Sequence, residues 1–173
     1  MPNLSTDRLT LRPITTADLA ALEAFWNNPD IRRYLWADQV MSRDRVCQLI
    51  EASEACFQRL GSGFFAIEVA TNPGVLAGFC GHRLFEDGEQ VELLYGIHPD
   101  YWGEGYVTEA AGEVLRHGFE TGSIQRVIAA ADTPNQRAVR VLQKLGMVFE
   151  ERREHHGLDT VFYTLHVEDF ALA

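Results

Sequence analysis

The spacing of apolar positions changes period repeatedly along the chain, and each change marks an element. Leu9, Leu11 and Pro13 alternate with polar residues as a half-buried strand that proline ends. Thr15 and Asp18 form a capping-box-like start, and Leu19, Leu22 and Trp26 then share one helical face until Asn27-Asn28-Pro29 stops it. After Ser42, Val46, Leu49, Ile50, Cys56, Phe57 and Leu60 keep helical spacing up to Gly61. Phe64–Val69 and Val75–Leu84 read as strands joined across Asn72-Pro73-Gly74, and Val91–Ile97 follows the turn at Glu86-Asp87-Gly88. A helix carrying Val107, Ala111, Val114, Leu115 and Phe119 ends near Gly122. Arg126–Ala131, short and rich in Val, Ile and Ala, suits a buried strand parallel to Val91–Ile97 across that helix. Pro134-Asn135 opens a last helix that Gly146 stops, and Val148–Glu154 and Thr160–His166 form a hairpin over His156-Gly157. The order β-α-α-β-β-β-α-β-α-β-β predicts an α/β (α+β) chain, with a mixed seven-stranded sheet and helices on both faces.

Composition narrows the class. At 173 residues the chain is expected to form one domain, residues 1–173, burying about 70% of its unfolded surface. It is 46% apolar and 23% charged, ordinary for a soluble globular protein. No stretch approaches the roughly 18 consecutive apolar residues of a membrane span. Nothing in the opening Met1-Pro2-Asn3-Leu4-Ser5 reads as a secretory signal, so the expected location is cytoplasmic. Cys47, Cys56 and Cys80 have neither CxxC nor Cys/His spacing, so they read as small buried hydrophobes and no metal is expected. A formal charge of −10 argues against a nucleic-acid surface and suits a cationic partner such as an amine.

The candidate chemistry centres on Ile97-His98-Pro99-Asp100-Tyr101-Trp102-Gly103-Glu104-Gly105-Tyr106-Val107-Thr108-Glu109-Ala110, a strand that enters a helix through a Gly-x-Gly turn. Such a turn leaves backbone N–H groups unpaired at a helix N-terminus, where the dipole favours an anion. Gly103 and Gly105 let the backbone bend and approach a ligand, and Thr108 adds a hydroxyl, so the pattern predicts a phosphate or pyrophosphate. No Gly-Lys-Ser/Thr follows, which excludes a Walker A loop. The dinucleotide fingerprint is half met: Thr108 stands at the third glycine position, and the strand Arg126–Ala131 brings no acidic residue for a ribose.

The run Tyr101 to Ala110 resembles the pyrophosphate loop of the GNAT N-acetyltransferase superfamily, in the branch of bacterial ribosomal-protein N-terminal acetyltransferases. Thr6 to Pro13, Asn27 to Leu35 and Asn135 to Gly146 resemble other stretches of that branch, in the right order. The resemblance implies a mostly antiparallel sheet splayed at two central parallel strands, here Val91–Ile97 and Arg126–Ala131. It implies acetyl-CoA as co-substrate and a primary amine as acceptor, such as a protein N-terminus or a small molecule, and it raises a homodimer. It places Ile97 on pantetheine, Trp102, Gly103, Glu104, Gly105, Tyr106, Val107 and Thr108 on pyrophosphate, and Asn135 on the cofactor as well as at a helix N-cap.

Four positions depart from the family pattern. Trp102 stands where Arg or Gln is common and Val107 where Gly or Ala is usual. Ala138 replaces a frequent serine, and Leu142 stands where other members place a tyrosine acid, so neither inherited proton donor is present. The alternative is therefore a non-catalytic acyl-CoA-binding module. Two carboxylates are candidates for the base: Glu92 on the strand before the loop, and Asp132 at the carboxyl end of the strand after the helix. Glu92 reads equally as an exposed strand residue or an arginine's partner, and Asp132 as turn chemistry. Strand alternation puts Tyr95 on the face opposite Glu92, so the two are not expected to share a site. His155 and His156 form a potential pH-sensitive pair that a hairpin turn would leave in water. Trp26, Tyr34, Leu35 and Trp36 lie where the family covers its substrate, and they read as an aromatic-rich loop that closes over an amine or a peptide terminus, or as packing for the first helix.

Overall fold

A computed structural model describes residues 1–170. Its strands are β1 (Leu4–Ser5), β2 (Leu9–Pro13), β3 (Phe64–Val69), β4 (Gly78–Leu84), β5 (Val91–Ile97), β6 (Arg126–Asp132), β7 (Val148–His155) and β8 (Leu158–His166). The helices are α1 (Leu19–Trp26), α2 (Pro29–Leu35), α3 (Arg43–Leu60), α4 (Tyr106–Glu120) and α5 (Gln136–Lys144). The strands form one sheet in the order β1-β2-β3-β4-β5-β6-β8-β7.

Three expectations need correction. The sheet has eight strands, because Leu4 and Ser5 pair with Leu11 and Thr10. Two residues are too few to carry a readable period. Pro29 begins α2 rather than only stopping α1: Asn28 Oδ1 accepts from Asp30 N–H at 2.9 Å, with proline in the first turn. An Asn-Pro pair serves equally as a stop and as an N-cap followed by N1 proline. Tyr34 and Leu35 therefore belong to a helix end rather than a loop. β4 starts at Gly78 rather than Val75, whose side chain is exposed.

All neighbouring strands are antiparallel except β5 and β6. That parallel seam has only two registered pairs, Val91 with Val127 and Glu92 with Ile128. β5 stays paired with β4 from Val91 to Ile97, and β6 with β8 from Arg126 to Asp132. Each central strand is thus held by its outer neighbour, and beyond Glu92 the two separate.

The two faces of the sheet bury different helices. α4 packs Ala110, Ala111, Val114, Leu115 and Phe119 against Val91, Leu93, Val127 and Ala129, with Leu142 of α5 in the same cluster. On the other face Leu22, Phe25, Trp26, Ile31 and Leu49 meet Phe64, Phe79 and Leu94.

Under α4 lies His82, fully buried, with Nδ1 2.8 Å from Ser62 Oγ and no partner for Nε2 among the described residues. Gly118 leaves room for it, since a Cβ there would stand 2.6 Å from His82 Cε1. Burial pushes the imidazole down to about 3. Near neutral pH His82 is uncharged folded and unfolded. As pH falls through about 6.5 the unfolded chain takes the proton and the native one does not, so stability falls toward pH 3. Between pH 7 and 4.5 this group should cost roughly 2–3 kcal/mol. Urea denaturation of the wild type and His82→Leu at the two pH values checks it: the pH-dependent loss should shrink by that amount in the variant.

Candidate active site between the splayed strands

The separation of β5 from β6 opens a cavity of about 820 Å³ running through the sheet. Its walls include Glu92 to Ile97 on one side and Ala130 to Asp132 on the other, and Trp102, Val107 and Asn135 stand at the end near α4 and α5. A smaller annex of about 390 Å³ adjoins it, sharing Trp102, Asn135 and Arg137 and adding Arg33 and Arg140.

Strand geometry fixes which backbone groups face the gap. His98 N–H donates to Ala77 O, just before β4, at 2.7 Å. By alternation, the N–H and C=O of Tyr95 and Ile97 point away from β4 and toward β6. The Ile97 carbonyl already accepts from Trp102 Nε1 at 2.9 Å, so its N–H is the group left for a ligand. Tyr95 joins Ile97 as a backbone contributor, a role that alternation alone makes visible.

Gly103 and Gly105 both adopt the left-handed conformation, at φ +82° and +78°, and Gly105 is the N-cap of the fifteen-residue α4. Residues 103–105 are exposed, leaving the first N–H groups of α4 accessible beside the cavity. Thr108 sits in that first turn, half-buried. Glu109 anchors the turn: it accepts from Thr6 Oγ1 at 2.5 Å and from Arg8 Nε at 2.8 Å. Tyr106 lies under the Arg8 guanidinium at 4.4 Å and so belongs to this brace. Val107 does line the cavity, so its side chain narrows the space beside the loop.

Asn135 is the N-cap of α5, with Oδ1 accepting from Ala138 N–H at 3.2 Å, which leaves its amide NH₂ as the free group. The Arg137 guanidinium stacks on Trp102 at 3.7 Å. Arg33, Arg137 and Arg140 make no ion pair with any described carboxylate, which gives the annex a cationic rim on an acidic protein.

The two candidate carboxylates reach the same cavity. Glu92 and Asp132 sit on the face shared with α2, because Val91, Leu93, Ala129 and Ala131 turn toward α4. They differ in surroundings. Glu92 is buried at the closed end and accepts from Arg83 Nε at 2.8 Å; burial still pushes its carboxyl above the usual range. Asp132 is half-buried at the open end, and its carboxylate has no hydrogen-bond or ion-pair partner among the described residues. Burial raises its carboxyl too.

Tyr95 stands on the α4 and α5 face, yet its side chain also borders the gap. Its hydroxyl donates to Ala138 O at 3.0 Å, and burial pushes it far above the usual phenol range. It is thus a protonated donor beside Ala138, the position without an inherited hydroxyl. The remaining wall carries Tyr34, Trp36, Met41 and Leu94, with Trp36 edge-on to Trp26 at 5.5 Å. His155 and His156 also border the cavity, beside Glu86, rather than pointing wholly into water.

This geometry has relatives. The profile of the family described as Acetyltransferase (GNAT) domain matches residues 8–148. An uncharacterized N-acetyltransferase of Bacillus subtilis (strain 168), YoaA, is 29% identical over 145 residues, covering 84% of this chain and 82% of the relative. The putative GNAT-family acetyltransferase from Bordetella pertussis superposes with a TM-score of 0.83 at 20% identity, covering 95% of this chain and 99% of that one. The structure of RimL, a ribosomal L7/L12 alpha-N-protein acetyltransferase in complex with coenzyme A, superposes at 0.80 and 17% identity over 97% and 99% of the two chains.

Proposed function

The chain belongs to the GNAT acetyltransferase family, and from that premise we propose that it moves an acetyl group from acetyl-CoA to a primary amine, by direct attack within one ternary complex. The observation that carries this reading is the gap: a cavity through the sheet, with unpaired backbone donors at one end and carboxylates on the opposite face. Coenzyme A in the RimL neighbour supports the same cofactor here.

Acetyl-CoA brings the activated acyl group as a thioester; the rest of the task falls to the chain. The exposed N–H groups of Gly103 to Thr108 and the dipole of α4 receive the pyrophosphate, and the cationic rim of Arg33, Arg137 and Arg140 adds to them. Trp102 keeps the loop on β5 through Ile97 O while Arg137 covers its ring. The Ile97 N–H and the Asn135 amide serve the pantetheine arm.

The acceptor approaches from the α2 face. A primary amine arrives as an ammonium ion, and Asp30, Glu86 and Asp132 make that wall attractive to one. Asp132 removes the proton, because it is the unpartnered carboxylate of the two and its half-exposed position lets the proton pass to water. Glu92 has a positioning role: it neutralises Arg83 at the floor of the cavity. The neutral amine attacks the carbonyl carbon, and its nitrogen, now carrying a surplus proton, gives that proton to water. The carbon–sulfur bond breaks as the tetrahedral intermediate collapses to the amide, and the sulfur leaves as a thiolate.

As the sulfur leaves, the Tyr95 hydroxyl turns its single proton from Ala138 O to that thiolate. Its raised pKa keeps the proton on oxygen, so it stabilises the leaving sulfur and water completes the protonation. Tyr95→Phe should therefore lower kcat by roughly tenfold to a hundredfold, with the KM for acetyl-CoA nearly unchanged. Steady-state kinetics decides it; an unchanged kcat would remove Tyr95 from the mechanism.

The acceptor class we favour is a protein N-terminal amine or a small cationic amine, which present the same ammonium group. We place the enzyme in the cytoplasm, acting as a single domain. A homodimer would use edge strand β7, where Val148 and Phe149 are exposed. No helix among the described residues is long and apolar enough to cross a membrane.

Thermal denaturation tests the cofactor assignment. Acetyl-CoA at 100 times its Kd should add about 2.7 kcal/mol, a shift of roughly 5–10 °C for a domain of this size. NAD should give none. A shift with NAD and none with acetyl-CoA would overturn the assignment.

A further inference from the structure

Glu86, His155 and His156 meet at the acceptor end of the cavity, although 69 or more residues separate Glu86 from the histidines in sequence. Glu86 lies in the turn after β4, and the two histidines form the tip of the β7–β8 hairpin. One ligating atom from each residue falls within 4.8 Å of the others. Glu86 Oε1 is 3.5 Å from His155 Nε2 and in hydrogen-bond contact with His156 Nε2. Ligands about 2.0–2.2 Å from a tetrahedral ion stand about 3.3–3.6 Å apart, so shifts of about an ångström would close the set.

The fold holds the two rings from different directions. His155 stacks on Phe85 at 5.6 Å and meets the edge of Phe162 at 5.6 Å, and Phe85 and Phe162 belong to a small buried cluster. His156 adopts φ +51° and Gly157 φ +76°, a tight turn that folds the second ring back over the first, with centroids 4.2 Å apart. The nearby cations are already engaged: Arg83 with Glu92 at 2.8 Å and Arg153 with Glu151 at 3.0 Å. The Arg153 contact to His155 Nδ1, at 3.5 Å, is too long to fix the tautomer.

We propose that Glu86, His155 and His156 form a binding site for a borderline divalent transition-metal ion of the Zn²⁺ class at the acceptor mouth of the cavity. Two imidazoles and one carboxylate suit such an ion and not Mg²⁺ or Ca²⁺, which take oxygen ligands. Three protein ligands leave a fourth position open, on the side where all three residues border the cavity. Bound there, the ion ties the β4–β5 turn to the β7–β8 turn and narrows the path of the acceptor. Zn²⁺ then slows acetyl transfer competitively with the amine and not with acetyl-CoA; this consequence, unlike the binding itself, rests on the acetyltransferase reading.

Tag-free full-length protein titrated with Zn²⁺ against a chromophoric chelator, with Mg²⁺ as control, tests the site directly. The expected result is one Zn²⁺ per chain, weakened at least roughly tenfold in both His156→Ala and Glu86→Gln and unchanged in Cys47→Ser, which removes the one cysteine that is not buried. Circular dichroism of the variants separates a lost ligand from a lost fold. Zn²⁺ binding no stronger than Mg²⁺ binding, or equal binding by the wild type and a folded His155→Ala/His156→Ala double variant, would overturn the proposal. A protein that binds Zn²⁺ as described but transfers no acetyl group would leave the site standing and refute the enzymatic reading alone.

Discussion

Replacing Asp132 by asparagine is expected to lower kcat by roughly 10²–10⁴-fold, with little change in acetyl-CoA affinity or in stability. The size follows from the role. Near pH 7 most of a primary amine is protonated and not nucleophilic, and asparagine keeps the shape of the side chain while removing its basicity. The fold should be indifferent, because Asp132 has no side-chain partner among the described residues. The pH profile of the wild type carries the same signature. Burial raises the Asp132 carboxyl, so activity should fall on the acid side at a pH above the usual carboxylate range, as the base becomes protonated. Glu92→Gln is the companion measurement. It leaves Arg83 without its buried counter-ion, so its main effect should be on stability. A loss of turnover in a folded Glu92→Gln protein, with Asp132→Asn fully active, would exchange the two assignments.

The second large effect belongs to the cofactor loop. Gly105→Val should weaken acetyl-CoA binding by roughly 5–30-fold. At φ +78° Gly105 sits where an L-residue costs about 1–2 kcal/mol, and each 1.4 kcal/mol is tenfold in affinity. A new Cβ would meet only Arg8 Nη2, at 3.6 Å, so the fold tolerates the added atoms. The loss therefore comes from displacing the N–H groups that start α4. Gly122→Val supplies the control: φ is +77°, nothing lies within 4 Å of the added Cβ, and the position is at the opposite end of the same helix. It should show comparable strain in thermal denaturation and an unchanged Kd by calorimetry. Equal affinity in wild type and Gly105→Val would mean that the loop does not hold the phosphates.

These predictions use residues of unequal visibility in the sequence. Gly103, Gly105 and the helix after them were legible as a strand–turn–helix, which serves a tight connection as readily as a phosphate, and Asn135 was legible because its N-cap role is local. The splayed pair was readable as two parallel strands around a helix. That they separate after Glu92 depends on β4 and β8 holding them apart, which no local pattern encodes. α2 was hidden by a dual signal, since Asn27-Asn28-Pro29 reads as a stop whether or not a second helix begins there. Tyr95 was correctly placed on the face opposite Glu92, but alternation says nothing about a gap that exposes both faces to one cavity. Glu86 and the histidines meet only because two hairpin tips lie side by side, a juxtaposition set by strand order.

The same limit explains why the cofactor reads more clearly than the acceptor. Backbone N–H groups at a helix start recognise phosphate whatever side chains surround them, so that function survives in a short motif. The acceptor wall is assembled from α2, β5, β6 and the β7–β8 turn, and its chemistry appears only once the chain is folded.

Product analysis decides whether this cavity transfers an acetyl group to an amine. The purified protein would be incubated with acetyl-CoA and a panel of primary amines, including peptides with free N-termini and small polyamines. Free thiol and acetylated amine would be followed together by a thiol reagent and mass spectrometry. At least one acceptor should be acetylated in step with thiol release, one for one, and Asp132→Asn should slow both by roughly 10²–10⁴-fold. Tight binding of acetyl-CoA with no acetylated amine across the panel would contradict acetyl transfer and leave a coenzyme-binding module in its place.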